Sequence, residues 1–225
     1  DPLWRSLEDL EQHYHEMSLV ELGCGALAGT SWSIDRTMFG EYVGAEGLIE
    51  NTNDAVSYSD GYADLVATLS NITAVLSRLG EDLDYWSTLE YDFIDFKIGA
   101  GSYFMPNKRS NQSFFEHTYI QSAKVVGLLT ESATMGIRIH HGDMNALEIH
   151  MQDAPLEAMR IVDAKILKPL MLHLPGMQVF EEHMLATARR GYSCATELSN
   201  EMVRRFDLDY RTAHDLVNLF VKESS

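Results

Sequence analysis

Cysteine is nearly absent from the 225 residues. Only Cys24 and Cys194 occur, far apart and in no metal-binding or redox spacing. This excludes a disulfide framework and reads as two free thiols in a reducing, cytoplasmic compartment. Basic residues are also scarce, since 17 Lys and Arg stand against 34 Asp and Glu for a net charge of −17. A surface that negative repels phosphate backbones and anionic lipid, so neither nucleic acid nor membrane is an expected partner. It repels a dicarboxylate as well, so any anion site must be built locally from cations and helix N-termini. No apolar run approaches the ~20 residues of a membrane span. The start, Asp1-Pro2-Leu3-Trp4-Arg5, lacks a methionine and the basic-then-apolar pattern of a signal peptide, which suggests a fragment or a processed chain.

What is present is a strong helical signal on 45% hydrophobic content, ample for a core. Leu65, Leu69, Ile72, Leu76, Leu79, Leu83 and Trp86 recur at alternating spacings of four and three. That seam predicts a helix of about 25 residues, about 38 Å long, suited to a long-helix bundle. A second helix is expected from about Ser113 to Ile139, with Phe115, Tyr119, Val126 and Leu129 on one face. A third spans about Asp153 to His173, with Asp153 as N-cap, Pro155 in the first turn and Pro169 kinking or shortening the far end. After Leu174-Pro175-Gly176 come shorter helices near 178–189, 193–205 and 210–222. Strand signal is confined to a short alternating segment, Phe93 to Ile98. The fold expected is all-α: a bundle domain over 1–174 and a small C-terminal helical domain over 175–225.

Chemistry concentrates in Gly101-Ser102-Tyr103-Phe104-Met105-Pro106-Asn107-Lys108-Arg109-Ser110-Asn111. Gly99-Ala100-Gly101 starts like a dinucleotide fingerprint, but Phe104 takes the third glycine position and no βαβ pattern surrounds it. No Gly-Lys-Ser/Thr follows to make a phosphate loop, and Ser102 lacks the G-x-S-x-G elbow of a hydrolase. Glycines 99 and 101 permit close backbone approach to a ligand, Ser102 presents a hydroxyl, and Lys108 sets a cation near the next helix's N-terminus. The same composition also suits a surface turn with a solvated lysine. His140, His141 and His150, with Asp143, Glu148 and Asp153 nearby, form no H-E-x-x-H or similar pair, so no metal site is expected. His13 and His15 read as exposed helix residues, and the eleven methionines as core filler. Asp35 and Arg36 follow a glycine-rich segment and serve either a substrate or a bridge between helices.

The loop resembles the signature G-S-S-x-M-P-x-K-x-N-P of the fumarase/aspartase/argininosuccinate lyase superfamily. Three further segments match in order. Leu22 to Ser31 followed by Ile34-Asp35-Arg36 is similar to the argininosuccinate lyase run PLGxGALAGTSxxIDR. Glu50 to Ser57 looks like ENSxDAVS, and Gly191 to Leu198 with Tyr210 to His214 resembles the C-terminal helices. The resemblance implies an all-helical homotetramer with a central bundle, and an anti β-elimination that releases fumarate, with argininosuccinate and arginine biosynthesis as the nearest setting. It implies no cofactor and no metal.

By position it makes Ser102 the base and Lys108 the stabiliser of the charge that forms. Arg36, Asn53, Ser110, Asn111 and His141 become contacts to a dicarboxylate substrate. The chain departs from the pattern at Tyr103, where the family has a second serine, and at Ser110, where it has asparagine and Asn111 is displaced by one. His141 stands at the family's tyrosine position. The upstream Thr-His and HTHLQ segments are not in this sequence. The site is therefore expected to be completed by another chain or by missing N-terminal residues. The alternative is a non-catalytic helical assembly protein that retains the scaffold.

Overall fold

The computed structural model describes residues 1–96, 113–137, 140, 142–144 and 149–224. It is all-α apart from four strands of two or three residues among the described residues. Two compact units are present: Asp1–Tyr85 with Phe96–Met177, and Trp86–Asp95 with Gln178–Ser225. No helix among the described residues is long and apolar enough to cross a membrane.

The first unit opens with α1 (Pro2–Met17), started by Asp1, whose carboxylate accepts the Leu3 N–H at 3.0 Å, and by a proline in the first turn. There follows an element the sequence pattern did not announce. β1 (Leu19–Val20) pairs in parallel with β2 (Gly47–Leu48), in register Leu19↔Gly47 and Val20↔Leu48. The crossover that parallel pairing demands is a glycine turn plus α2 (Arg36–Val43). Asp35 caps α2 through the Met38 N–H at 2.9 Å, and Gly44, left-handed at φ 73°, ends it. Asn51 caps α3 (Thr52–Ser57) through the N–H groups of Asn53 and Asp54.

The long helix expected from the seam is α4 (Asp60–Ser87), of 28 residues. Leu65, Leu69, Ile72, Leu76 and Leu83 are buried, but Leu79 and Trp86 are each 37% exposed. The buried line runs instead through Leu76, Gly80, Leu83 and Ser87. A helix of 3.6 residues per turn drifts about 20° per heptad away from a 3.5-residue repeat, so Leu79 and Trp86, on one edge of the seam, turn outward while Leu83 stays inside.

α5 (Ser113–Gly136) is the second long helix. Its buried residues are Phe115, Thr118, Ser122, Val125 and Ser132, whereas Val126, expected inside, is 50% exposed. Hydroxyls replace aliphatic groups in this stripe, and own-helix carbonyls satisfy those of Thr118 and Ser122. Thr118 donates to Phe114 O at 3.0 Å, and Ser122 donates to Thr118 O at 2.7 Å and across to Thr73 O of α4 at 3.2 Å. Opposite lies Gly80, where an added Cβ would already touch Phe115 and Tyr119 at 3.5 Å. Small residues on both helices thus set the approach of α4 and α5.

The third helix begins one residue earlier than a cap at Asp153 would place it. Residues 149–151 are already helical, so Asp153 opens α6 (Asp153–Ile161) as its first residue, and Gln152 precedes it without a side-chain cap. Helix continues through a π-turn, Val162–Leu167, into α7 (Lys168–His173). The Lys168 N–H reaches five residues back to Asp163 O, which shifts the ladder just before Pro169, a residue with no N–H to offer. Pro169 does not end the helix, which continues to His173 after this wide turn. His173 stacks on Phe114 at 4.2 Å between ring centroids. His13, expected on the surface, is only 13% exposed, and its Nε2 lies 3.2 Å from Thr68 Oγ1 of α4.

In the second unit, the expected short helices are α8 (Glu181–Arg190), α9 (Ala195–Phe206) and α10 (Tyr210–Ser224). α9 and α10 pack through Ser199, Ala213 and Val217. β3 (Ile94–Phe96) lies within the segment expected to be extended, and it pairs with β4 (Met177–Val179).

One prediction follows from the α4–α5 contact. The Tyr119 hydroxyl is enclosed there with no partner among the described residues. Burial, then the nearby Asp84, Glu81, Tyr85 and Glu116, push its pKa up to about 12. A folded-state pKa above the unfolded value of about 10 means full stability below pH 10 and loss as pH rises toward 12. Urea midpoints measured across that window should fall less for Tyr119→Phe than for wild type, with little difference at pH 7. Parallel decline in both proteins contradicts this placement.

Candidate functional site

Three segments singled out in the sequence meet in the first unit. The glycine turn after β1 is held by Cys24, whose carbonyl accepts the Gly29 N–H at 2.8 Å and the Leu27 N–H at 3.3 Å. Gly23, Gly25 and Gly29 have φ of +92°, +59° and +78°. A Cβ at Gly25 would fall 2.9 Å from Gly29 O, so that position admits glycine on two counts. The start of α3 joins this turn, because the Thr52 hydroxyl donates to Leu27 O at 2.5 Å. Gly142 also meets it, with its Cβ direction 3.3 Å from Leu27 Cδ2.

Arg36 ties the assembly together. Its Nη2 donates to Ile49 O at 2.7 Å and Val20 O at 3.3 Å, and its stem passes 3.5 Å from where a Gly23 side chain would begin. Nε is enclosed without a partner among the described residues. Asp35 serves as the α2 cap. Asn53 donates its main-chain N–H to Asn51, and its side-chain Oδ1 is enclosed with no described partner. Ser102, Lys108, Ser110, Asn111 and His141 lie outside the described residues. Of the expected site residues, the structure therefore places Arg36 and Asn53, in the first turns of α2 and α3.

Between these segments is a cavity of ≈ 470 Å³, lined by Glu21, the glycine turn, Ala55–Tyr58, Tyr62, Gly142, Met144, Met151 and Gln152. Tyr58 and Tyr62 meet edge to face at 5.8 Å. Burial raises the pKa of both phenols, helped by Glu16 and Asp60 at Tyr58 and by Glu21 at Tyr62. Glu21, Tyr58 and Tyr62 were missed in the sequence, although Glu21 directly precedes one motif and Tyr58 directly follows another. Among the described residues, no three His, Cys, Asp or Glu side chains converge to hold a metal.

A family model described as Lyase matches residues 1–127, more than half of the chain. The chain belongs to this lyase family. Its relatives include argininosuccinate lyase 1 of Shouchella clausii, 30% identical over 98% of this chain and 44% of that protein. The argininosuccinate lyase of Methanococcoides burtonii is 31% identical over 98% of this chain and 45% of that protein. The lyase chain therefore spans about half the length of the curated relatives it matches. An EDDS lyase variant solved with bound fumarate superposes with a TM-score of 0.78 at 26% identity, covering 95% of this chain and 42% of that one. A fumarate lyase/delta crystallin protein from Brucella melitensis, bound to cobalt, shares the fold at a TM-score of 0.80 and 18% identity, over 99% of this chain and 49% of its own. These are members of the superfamily that the four motifs resemble.

Three substitutions test the lyase chain's turn. Arg36→Ala strands two carbonyls and should cost about 1–3 kcal/mol in urea unfolding. Gly25→Ala should cost more than Gly44→Ala, because both glycines are left-handed but nothing lies within 4 Å of a Cβ at Gly44. Equal costs at the two glycines would show that the Gly29 carbonyl yields freely.

Proposed function

We propose that this chain forms part of a carbon–nitrogen lyase that releases fumarate from an N-substituted aspartate, in the manner of argininosuccinate lyase. The observation that carries the reading is likeness to argininosuccinate lyases over 98% of the chain at 30% identity. The meeting of segments 22–29, 50–57 and 142–144 around one cavity supports it.

In this reading Ser102 takes the proton from the carbon next to a substrate carboxylate, which leaves a dianionic aci-carboxylate. The electron pair then forms the fumarate double bond as the carbon–nitrogen bond breaks, and an acid from another segment or chain protonates the departing nitrogen. A neutral serine is a weak base, so its alkoxide needs a positive, water-poor surrounding. Lys108 and backbone N–H groups of the 99–111 loop are suited to supply it. Arg36, Asn53, Ser110, Asn111 and His141 contact the substrate. Arg36 has Nε available after Nη2 is spent on two carbonyls, and Asn53 has its enclosed amide. The working assembly is a cytoplasmic homotetramer, or a mixed oligomer in which another chain brings the Thr-His and HTHLQ segments.

The test is a fumarate-release assay, read by ultraviolet absorbance. This chain is mixed with a full-length argininosuccinate lyase whose loop serine is replaced by alanine. Turnover should appear only in the mixture, with a tetramer seen by light scattering. Ser102→Ala in this chain should lower that turnover by a hundredfold or more and shift stability by no more than about 0.5 kcal/mol. A mixed tetramer without turnover, or turnover that survives Ser102→Ala, would sink the assignment.

A further inference from the structure

The second unit holds a cavity of its own. It measures ≈ 410 Å³, within the usual range for small-molecule sites, and lies between the end of α8, the start of α9 and the C-terminal half of α10. Most of its wall is apolar, from Leu185, Ala188, Leu198, Val217, Phe220 and Val221. Leu185, Leu198 and Phe220 remain 51%, 45% and 53% exposed, so a ligand seated there has apolar surface to cover. Tyr192 builds one side, turning the chain from α8 to α9 with a left-handed φ of 48°. That backbone is unfavourable for a residue with a Cβ and persists only where its surroundings hold it. Here the ring stands edge-on to Phe220 at 6.1 Å, and the hydroxyl donates to Ser224 O at 3.3 Å.

The charge around this cavity selects the kind of ligand. Both hydroxyls of the lining are already used, since Ser193 Oγ donates to Ala188 O at 3.1 Å and Tyr192 to Ser224. Arg189 is the one ionised side chain in the described lining, and no ion pair or hydrogen bond engages it among the described residues. Its neighbour Arg190, outside the lining, donates to Thr187 Oγ1 at 3.2 Å. No side chain caps α9 at Cys194, so the N–H groups of its first turn are open to an anion as well. The carboxylate in that turn, Glu197, is held by Asn200 at 2.9 Å and Arg204 at 2.7 Å. Residues 178–225 carry six basic and eight acidic side chains, against 11 and 26 in the rest of the chain, so an anion meets far less repulsion here. A second carboxylate on the ligand would enter the apolar wall unpaired, which is costly.

We propose that this cavity binds a monocarboxylate with an apolar tail, of the size of octanoate. The carboxylate lies between the Arg189 guanidinium and the first turn of α9, and the tail rests on Leu185, Leu198 and Phe220. The inference draws only on described side chains between residues 185 and 221.

Titration calorimetry on the 225-residue chain tests this with octanoate, octanol, octylammonium and succinate. Octanoate should bind, octanol about tenfold more weakly for want of the charge-assisted bond, octylammonium more weakly still, and succinate not at all. Octanoate should also slow alkylation of Cys194 by N-ethylmaleimide severalfold, because that thiol is exposed and lines the cavity. Arg189→Gln should weaken octanoate about tenfold and leave octanol unchanged, whereas Arg190→Gln should change neither. Circular dichroism checks that both variants keep their helices. Equal losses in the two arginine variants would mean diffuse attraction to a basic surface and overturn the site. Octanoate that binds without protecting Cys194, octanol that binds as tightly as octanoate, or no binding of octanoate would overturn it too. So would a dimer by light scattering whose Cys194 is already unreactive before octanoate is added, since a second copy would then fill the cavity.

Discussion

The guanidinium of Arg36 is the interaction on which the described half of the site depends. The parallel pair it fastens is only two residues long on each side, too short to hold two loops by ladder bonds alone. Arg36 reaches from the first turn of α2 to carbonyls of Val20 and Ile49, one at the end of each strand region. A planar, multiply donating head can serve two carbonyls at once, which a lysine's compact ammonium does less well. The clasp fixes the glycine turn against the start of α3, and the Thr52–Leu27 bond completes the join. Asp35 beside it is not idle, because by capping α2 it sets where the arginine begins.

Behind this corner stand α4 and α5, and their contact explains why a site made from loops keeps its shape. The interface is lined by Gly80, Thr73, Thr118 and Ser122 rather than by a continuous aliphatic zipper. Hydroxyls that bond to carbonyls within their own helix, and in one case to the facing helix, are buried without leaving unpaired groups. The helices approach closely, and the first turn of α4 carries Tyr62 beside Tyr58. Family membership and the site's charge answer different questions. Membership rests on residues 1–127 and on relatives about twice as long, whereas the cavity's acid and phenols are properties of this chain's own side chains.

Much of the fold was legible locally. Asp1, Asp35 and Asn51 cap helices where a short polar side chain precedes an apolar repeat, and Gly44 closes α2 as a left-handed residue should. The long helices were readable from their spacing, but not which of their faces would be inside. Trp86 and Leu79 fell out of the core because seven-residue spacing drifts on a straight helix, and Thr118 and Ser122 entered it because their hydroxyls found carbonyls. His13 looked like a surface residue until Thr68 closed over it. The two-residue strands gave no periodic signal at all, since pairing between segments so far apart leaves no trace in a local pattern.

The sequence by itself determined the helical class, the main helix ends and the motifs that place the chain among lyases, because caps, apolar periods and glycine runs act within a few residues. Only the tertiary structure decided that the glycine turn, α3 and Gly142 share one cavity, and that Arg36 is fastened to Val20 and Ile49. It alone set Glu21 beside the two tyrosines and emptied the described lining of cations. Those outcomes depend on which groups meet across sequence separations that run from 13 residues, Arg36 to Ile49, to 115, Leu27 to Gly142. Close packing settles that, and local chemistry does not.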